Sequence, residues 1–442
     1  MKHHIEKEFT FKELLEFAFP TMIMMIFMSL YTIVDGFFVS RFVGAEALSA
    51  VNIVYPLISI NIAVGVMFAT GGSAVVAWTM GQGKEHQAKR YFTGLVIVAF
   101  VLSVIIAVLV LCNMDRLIEW LGAEGELKQY CKDYLWIMML YSPVSTLQLM
   151  FQDFLVVASR PHLGLGLSIG SGIFNMVFDY LLIAVFHMGV QGAAYATVGG
   201  YFVSAIGGIL FFLFHKKGLK FTKPAFPIKM ILKSCANGSS EMVTNLSTSI
   251  TTALFNFYML QFAGANGVAS ITTVLYCQFL MTSIFIGFSI GVAPVISYHY
   301  GAQNQTFLRK VLKWCVQFIL VCSVAMWLLS LLGADFVAKV FFTSGTEAYS
   351  LAAHGLRLFG VSFLFAGINI FGSAMFTALG NGLISAGISF SRTLGFTVIG
   401  IVGMSYIWGM DGLWFAVPFA ELVTIFVVII CARKLKTQYH IF

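Results

Sequence analysis

Apolar residues in this chain run in stretches longer than the core helices of a soluble protein need. Twelve stretches lie near residues 14–39, 48–79, 91–112, 131–158, 163–184, 191–214, 231–260, 268–299, 311–333, 350–378, 383–405 and 412–432. An α-helix needs about 20 apolar residues to cross hydrocarbon, and these supply them. The second and eighth are long enough to tilt or to project beyond the hydrocarbon. The pattern predicts an all-α membrane protein of twelve transmembrane helices. The first stretch does not read as a cleaved signal, because Glu6, Glu8, Glu13 and Glu16 precede or enter it and no small-residue cleavage site follows a short apolar core.

Composition strengthens this. The 442 residues are 59% hydrophobic and 10% charged, where a soluble domain carries about 25% charged residues. Lipid has to be part of the solvent. The charges are also sorted. Lys2, Lys7 and Lys12 precede the first span, and Lys84, Lys89 and Arg90 join the second to the third. Lys216, Lys217, Lys220, Lys223, Lys229 and Lys233 lie in the central connection, Arg309, Lys310 and Lys313 after the eighth span, and Arg433, Lys434 and Lys436 after the last. Asp115, Glu119, Glu124, Glu126 and Asp133 lie on the other side. Basic loops stay cytoplasmic, so both termini and the central connection are expected in the cytoplasm of a cell with this protein in its inner (plasma) membrane. The net charge of +7 follows from that sorting. Basic residues scattered at helix ends do not make a nucleic-acid site. Of the seven cysteines most lie inside spans as small apolar residues. A disulfide between Cys112 and Cys131 stays open, and no CxxC or His-Cys cluster suggests zinc.

The chain repeats itself. A shift of 220 residues places Phe42, Gly44 and Ala45 on Phe262, Gly264 and Ala265, and Gly71, Val75 and Gly81 on Gly291, Val295 and Gly301. It also places Lys89-Arg90 on Arg309-Lys310, Ala158 on Ala378, and Gly189 and Gly192 on Gly409 and Gly412. Six spans per half make parallel repeats about an axis along the membrane normal, an arrangement suited to alternating access between two rocking lobes. The expected division is residues 1–214, a linker at 215–230, and residues 231–442.

Ionisable residues inside spans are costly and therefore functional suspects. They are Asp35, Asp153, Asp179, Glu241, Glu421 and Arg392. Asp35 lies about 33 Å along the first helix and Asp179 about 24 Å along the fifth, at a 1.5 Å rise per residue. Both helices run outward, so both acids fall in the outer half. Asn175 shares a helix face with Asp179, Ser168, Ser171 and Gly172 continue that face, and Thr197 begins the sixth helix at similar depth. These hard oxygen donors suit Na⁺, or the two acids suit a shared proton. The positions matching Asp35, Asn175, Asp179 and Thr197 in the second half are Phe255, Gly395, Ile399 and Val417, so one half alone holds the polar set. Arg392 and Glu421 sit at one depth on neighbouring helices, which suggests a structural ion pair. Asp153 with Arg160 suggests a solvated pair or a cytoplasmic gate. Glu241 reads as a contact for cationic substrate or proton, or else as a buried acid bonded to Ser239 or Thr244. Tyr31, Met25, Gln148, Gln152 and Tyr258 are candidates for a substrate path, with Met22 and Met25 able to repack around different ligands.

Four segments, YTIVDGFFVSRFVGAEALSAVNIVYP, GQGKEHQAKR, NMVFD and the second-half GAQNQ, resemble the multidrug and toxic compound extrusion (MATE) family, in particular its MepA-type bacterial branch. The resemblance covers essentially the whole chain. Its most specific part is Asp35 together with the Asn175-x-x-x-Asp179 spacing. It implies two pseudo-symmetric six-helix lobes and export of bulky, often cationic organic compounds, driven by Na⁺ or H⁺. Some members also carry an acid on the tenth helix to accompany one at the Glu241 position; here Gly367 and Asn369 stand in that region.

The expected protein is thus not an enzyme, needs no cofactor beyond its coupling ion, and works as a monomer in lipid on small organic cations. The competing reading is a flippase for lipids or lipid-linked sugars with the same two-lobe fold. That cavity would need a basic lining for pyrophosphate, and the buried set here is acidic. The chain has no GxSxG, HExxH or GxxxxGK[ST], which argues against an intramembrane hydrolase and an ATP-driven pump.

Overall fold

A computed structural model describes residues 4–38, 42–43, 45–215 and 218–434. Lys2, Gly44, Lys216, Lys217 and Lys436, used above, lie outside the described residues. Among the described residues twelve helices cross the molecule. They are α1 (Phe11–Phe38), α2 (Ala45–Gly81), α3 (Glu85–Cys112), α4 (Gly125–Leu140 and Ser142–Val157), α5 (Pro161–Val185) and α6 (Gly189–Phe214). The helical run Ile228–Gly301 breaks at Ala263 and Gly264 into α7 and α8. Then come α9 (Gln305–Phe341), α10 (Glu347–Ala378), and α11 and α12, the two arms of Gly382–Arg433 divided at Gly409. Nine of the described helical stretches are long and apolar enough to cross a bilayer. One of these, Gly382–Arg433, turns back at Gly409 and crosses twice; the more polar α4 and α7 complete the set. In lipid every backbone N–H and C=O must bond within its own segment, which is why apolar runs of this length become helices.

The boundaries differ from the hydropathy reading in two places. α4 is interrupted at Tyr141 (φ −101°, ψ 7°), just before Ser142 and Pro143. Proline has no N–H to donate and hinders helical geometry in the preceding residue. α9 runs for 37 residues, well past 311–333 at both ends. Asn304 starts it by accepting from the Phe307 N–H at 3.2 Å. Arg309, Lys310 and Lys313 lie inside the helix, where long basic side chains reach the interface while their stems stay apolar.

α2 and α8 are central and α3 and α9 peripheral: 61% of the α8 window is buried and 28% of the α9 window. Leu109, Leu332 and Phe336 stand exposed on the peripheral pair, as a lipid-facing surface requires. The connection between the lobes is docked along α3. Thr222 N donates to Thr93 Oγ1 at 3.0 Å and Ala225 N to the Arg90 carbonyl at 3.2 Å, while Phe221 stacks on Phe92 with ring centroids 5.1 Å apart.

The lobes meet along the half of the molecule nearer the N-terminal segment, here termed the N-terminal face. A methyl group on Gly71 of α2 would fall 1.9 Å from the Ser234 carbonyl oxygen of α7, and one on Gly81 would fall 2.0 Å from the Tyr298 carbonyl oxygen of α8. The backbones are in contact there, and this face is closed. Lys233 Nζ also lies 3.8 Å from the centre of the Trp78 ring across the same boundary. All seven cysteines are free, Cys112 exposed and Cys131 buried.

The repeat is visible in backbone angles. Gly189 and Gly409, matched by the 220-residue shift, have φ of 59° and 60°. Gly409 combines its φ with ψ −132°, a region that a side chain enters at about 1–3 kcal/mol. Gly409→Ala is therefore expected to lower the melting temperature of the purified protein. Gly403→Ala, in the preceding helix with nothing within 4 Å of an added methyl, should leave it unchanged. Equal melting of the two variants would contradict the strained turn.

Candidate functional site

α1 and α5 can approach closely because Gly172 presents no side chain; a methyl there would fall 2.3 Å from Phe27 and 3.3 Å from Tyr31. One turn beyond Tyr31 stands Asp35, within hydrogen-bonding reach of Asp179 and Asn175. Asn175 and Asp179 are one turn apart on α5 and are 3% and 0% exposed. α6 is held against α5 in a similar way. Gly200 faces the Ser171 carbonyl, where a methyl would come within 2.9 Å, and Ser171 Oγ donates to the Gly200 carbonyl at 2.7 Å. That contact brings Thr197 to Asn175, whose Nδ2 donates to Thr197 Oγ1 at 3.4 Å. The structure thus gathers Asp35, Asn175, Asp179 and Thr197 from three helices into one place in the first lobe.

Oxygens at this place lack hydrogen-bond donors. Asp35 Oδ1, Asn175 Oδ1 and both Asp179 oxygens are buried and accept no hydrogen bond among the described residues. No Lys or Arg pairs with either acid among the described ion pairs. Two ionised carboxylates in contact repel strongly in a medium of low dielectric, so the pair is stable only with a proton shared between them or a cation beside them. The donors are all oxygens, which suits a hard cation such as Na⁺ and disfavours soft metals. Among the described residues no group of three or more His, Cys, Asp and Glu could hold a metal ion, so a cation here would rely on amide and hydroxyl oxygens as well.

Three tyrosines that the sequence reading did not single out lie in this region. Tyr134 on α4 and Tyr201 on α6 both lie within electrostatic range of Asp35, and Tyr55 on α2 lies within range of those two tyrosines. Tyr201 sits one turn after Thr197, so helical spacing held a signal for it. Tyr134 and Tyr55 come from other helices and gave none. A π-helical turn, Tyr180–Val185, follows Asp179 directly; such turns are frequent at functional sites.

The substrate-path candidates are dispersed. Gln152 Nε2 donates to Ser168 Oγ at 3.0 Å and reaches Met28 Sδ at 3.5 Å, so α4 joins the polar face of α5. Gln148 is buried on α4. Tyr31 lies near Asp35. Met25 is half-buried on α1, its carbonyl taken by Ser29 Oγ at 2.9 Å. Tyr258 belongs to an aromatic group with Phe257 and Phe262 in the second lobe.

The second lobe has a different centre. Arg392 Nε donates to Glu421 Oε1 at 2.8 Å, with the two side chains 14% and 3% exposed. Asn369, at the region where an acid was sought, donates to Glu421 Oε2 and to the Glu421 carbonyl, both at 2.7 Å. Glu421 is therefore satisfied twice over. Two expectations fail here. Glu241 is not bonded to its neighbours: Ser239 Oγ donates to the Ala236 carbonyl and Thr244 Oγ1 to the Ser240 carbonyl, because Ser and Thr in a helix satisfy themselves on the preceding turn. Its charge instead lies within range of Arg392 and, across the lobe boundary, of Asp153. Asp153 makes no ion pair with Arg160 among the described residues; it is buried, 9% exposed, and the chain turns at Ser159 (φ 60°) before Arg160.

Known proteins match this architecture. The MatE family model matches residues 20–181 and again 241–402, so the second match begins and ends 221 residues after the first. Multidrug export protein MepA of Staphylococcus haemolyticus (strain JCSC1435) is 24% identical over 439 residues, covering 98% of this chain and 96% of its own. A crystal structure of MATE in the straight conformation superposes with a TM-score of 0.91 at 22% identity over 97% of both chains. The outward-facing conformation of a multidrug resistance MATE family transporter of the MOP superfamily gives 0.90 at 23% identity, over 97% of this chain and 96% of that one.

The orphaned oxygens generate a prediction on stability. Asp179→Asn removes the like charge and gives Asp35 an amide donor, so it should raise the melting temperature at neutral pH without added salt. Wild type should gain stability on adding Na⁺ or on acidification, and the variant should gain neither. Melting curves in detergent, against choline chloride as the salt control, check this.

Proposed function

This chain belongs to the MatE family, and from that premise we propose that it is a cation-coupled multidrug exporter of the plasma membrane. It exchanges Na⁺ or H⁺ moving inward for organic cations moving outward. The observation that carries the reading is the pair Asp35 and Asp179, brought together with orphaned carboxylate oxygens and, among the described residues, no counter-charge, in one lobe only. The exporter names of the relatives agree with it.

The proposed cycle follows from charge. With the N-terminal face closed, the coupling site and the inter-lobe space communicate with the opposite side. A cation or proton arriving from that side neutralises the acids. An organic cation held nearby by the same negative charge then loses its attraction and leaves. Each ligand weakens the other through one coupling free energy, which works equally in both directions. The lobes next exchange faces, and the ion is released on the basic side. On the positive-inside rule that side, with the N-terminal segment and the 215–227 connection, is the cytoplasm.

Two experiments test this. Asp35→Asn and Asp179→Asn should each abolish export of a fluorescent organic cation while protein remains in the membrane, and wild-type export by either would remove the pair from the coupling site. Single cysteines at 218–226 should be labelled only from the cytoplasm and ones at 115–124 only from outside; equal access to both would overturn the orientation.

A further inference from the structure

Residues 4–10 lie across the closed N-terminal face and touch both lobes. The segment opens with a short 3₁₀ turn, His4–Glu6. Ile5 is 0% and Phe9 6% exposed, and both belong to the apolar cluster that includes residues of α2, α4 and α8. Ile5 N donates to Ser159 Oγ at 3.2 Å, at the end of α4 in the first lobe. Glu8 Oε1 accepts from Asn304 Nδ2 at 2.7 Å, in the turn between α8 and α9 of the second lobe. Beneath the segment His299 of α8 is buried against the backbone of Ile5 and Lys7. Phe11, at the start of α1, stands 6.1 Å from Trp314 of α9. A freely solvated leader would bury neither Ile5 nor Phe9, because apolar side chains are covered only where a surface is shaped to receive them.

We propose that residues 4–10 are a latch, which holds the two lobes closed on the N-terminal face and must release before that face opens. The two attachments differ in kind. The bond to Ser159 lies within the lobe that carries the segment and survives any rigid movement of the lobes. The bond from Asn304 and the packing on His299 cross the boundary and are lost on opening, as is the adjoining contact of Phe11 in α1 with Trp314. The latch therefore adds to the stability of the closed state alone and shifts the balance between the two states. It rests on the closed face and not on which compounds are carried.

The test places a reporter cysteine at Ala74, which lines the cavity between the lobes with Lys233, Asn237 and Tyr300, in a variant lacking the native cysteines. Maleimide labelling from the N-terminal face is followed with Phe9→Ser, Ile5→Asp and Asn304→Ala. Labelling is expected to quicken about tenfold for the first two, the shift that about 1.4 kcal/mol makes in a two-state balance, and less for Asn304→Ala. Rates equal to the parent in all three would overturn the latch. A second arm joins Glu8→Cys to Asn304→Cys by a reducible bis-thiosulfonate linker. The joined protein should label at Ala74→Cys more slowly than the parent and export nothing until reduced. Unslowed labelling of the joined protein would overturn the proposal independently of folding. If labelling behaves as expected but even the parent exports nothing, the export reading fails and the latch stands.

Discussion

In a bilayer, apolar side chains gain little by leaving lipid tails for one another, so twelve helices associate through close packing and through hydrogen bonds between helices. This molecule satisfies that constraint by bringing backbones together where side chains are smallest. α2 touches α7 at Gly71 and Gly238 and touches α8 at Gly81 and Gly301. α8 in turn lies on α1, where a methyl on Gly291 would fall 2.9 Å from the Ala18 Cα. Gly71 and Gly81 are the repeat partners of Gly291 and Gly301, so one small-residue pattern serves twice about the pseudo-symmetry axis. The contacts concentrate on one face, and closing that face fixes where the lobes can separate. The same device works on a smaller scale at Gly172 and Gly200, without which Asp35 and Thr197 would not reach α5.

The packing is symmetric and the chemistry is not. In the first lobe Asp35 and Asp179 lie together, and Asp35 Oδ1 and both Asp179 oxygens have no donor among the described residues. In the second, Glu421 has Arg392 and two hydrogen bonds from Asn369. A buried ion pair adds little net stability, but removing one partner leaves an expensive isolated charge, so the second centre is held in one state. The first centre has no such partner among the described residues. The polar interiors of the two lobes therefore differ: one holds a paired acid and the other holds carboxylates without a counter-charge.

The number and order of the helices were legible because runs of apolar residues leave no other structure available in lipid. The ends were less so: charged residues at 309, 310 and 313 looked like a loop and are the first turns of α9, and Pro143 breaks α4 inside an otherwise apolar run. The four polar residues of the first lobe stood out because acids inside spans are rare. Their meeting across α1, α5 and α6 depends on the glycines between them, which spacing alone does not reveal. Tyr55 and Tyr134 were hidden for the opposite reason. Tyrosine is common in this chain, with 16 of them beside 44 phenylalanines, and only the packing of separate helices selects these two. The alternative bond of Glu241 to Ser239 or Thr244 and the pair of Asp153 with Arg160 rest on nearness in sequence, which is not nearness in space. Ser239 and Thr244 turn back onto their own helix, and Asp153 looks across the lobe boundary.

That boundary carries an argument of its own. Asp153 of the first lobe and Glu241 of the second are within electrostatic range of each other on the closed side, with no hydrogen bond to either carboxylate among the described residues. Two carboxylates brought together on closing oppose it when both are ionised, while the glycine contacts, the Lys233–Trp78 pair and the segment over His299 favour it. A transporter has to pass through both states in each cycle, so neither can be much the more stable. Opposing terms at one interface meet that requirement: packing strong enough to seal the face, and a charge pair that weakens the seal unless a proton or a cation lies between the acids.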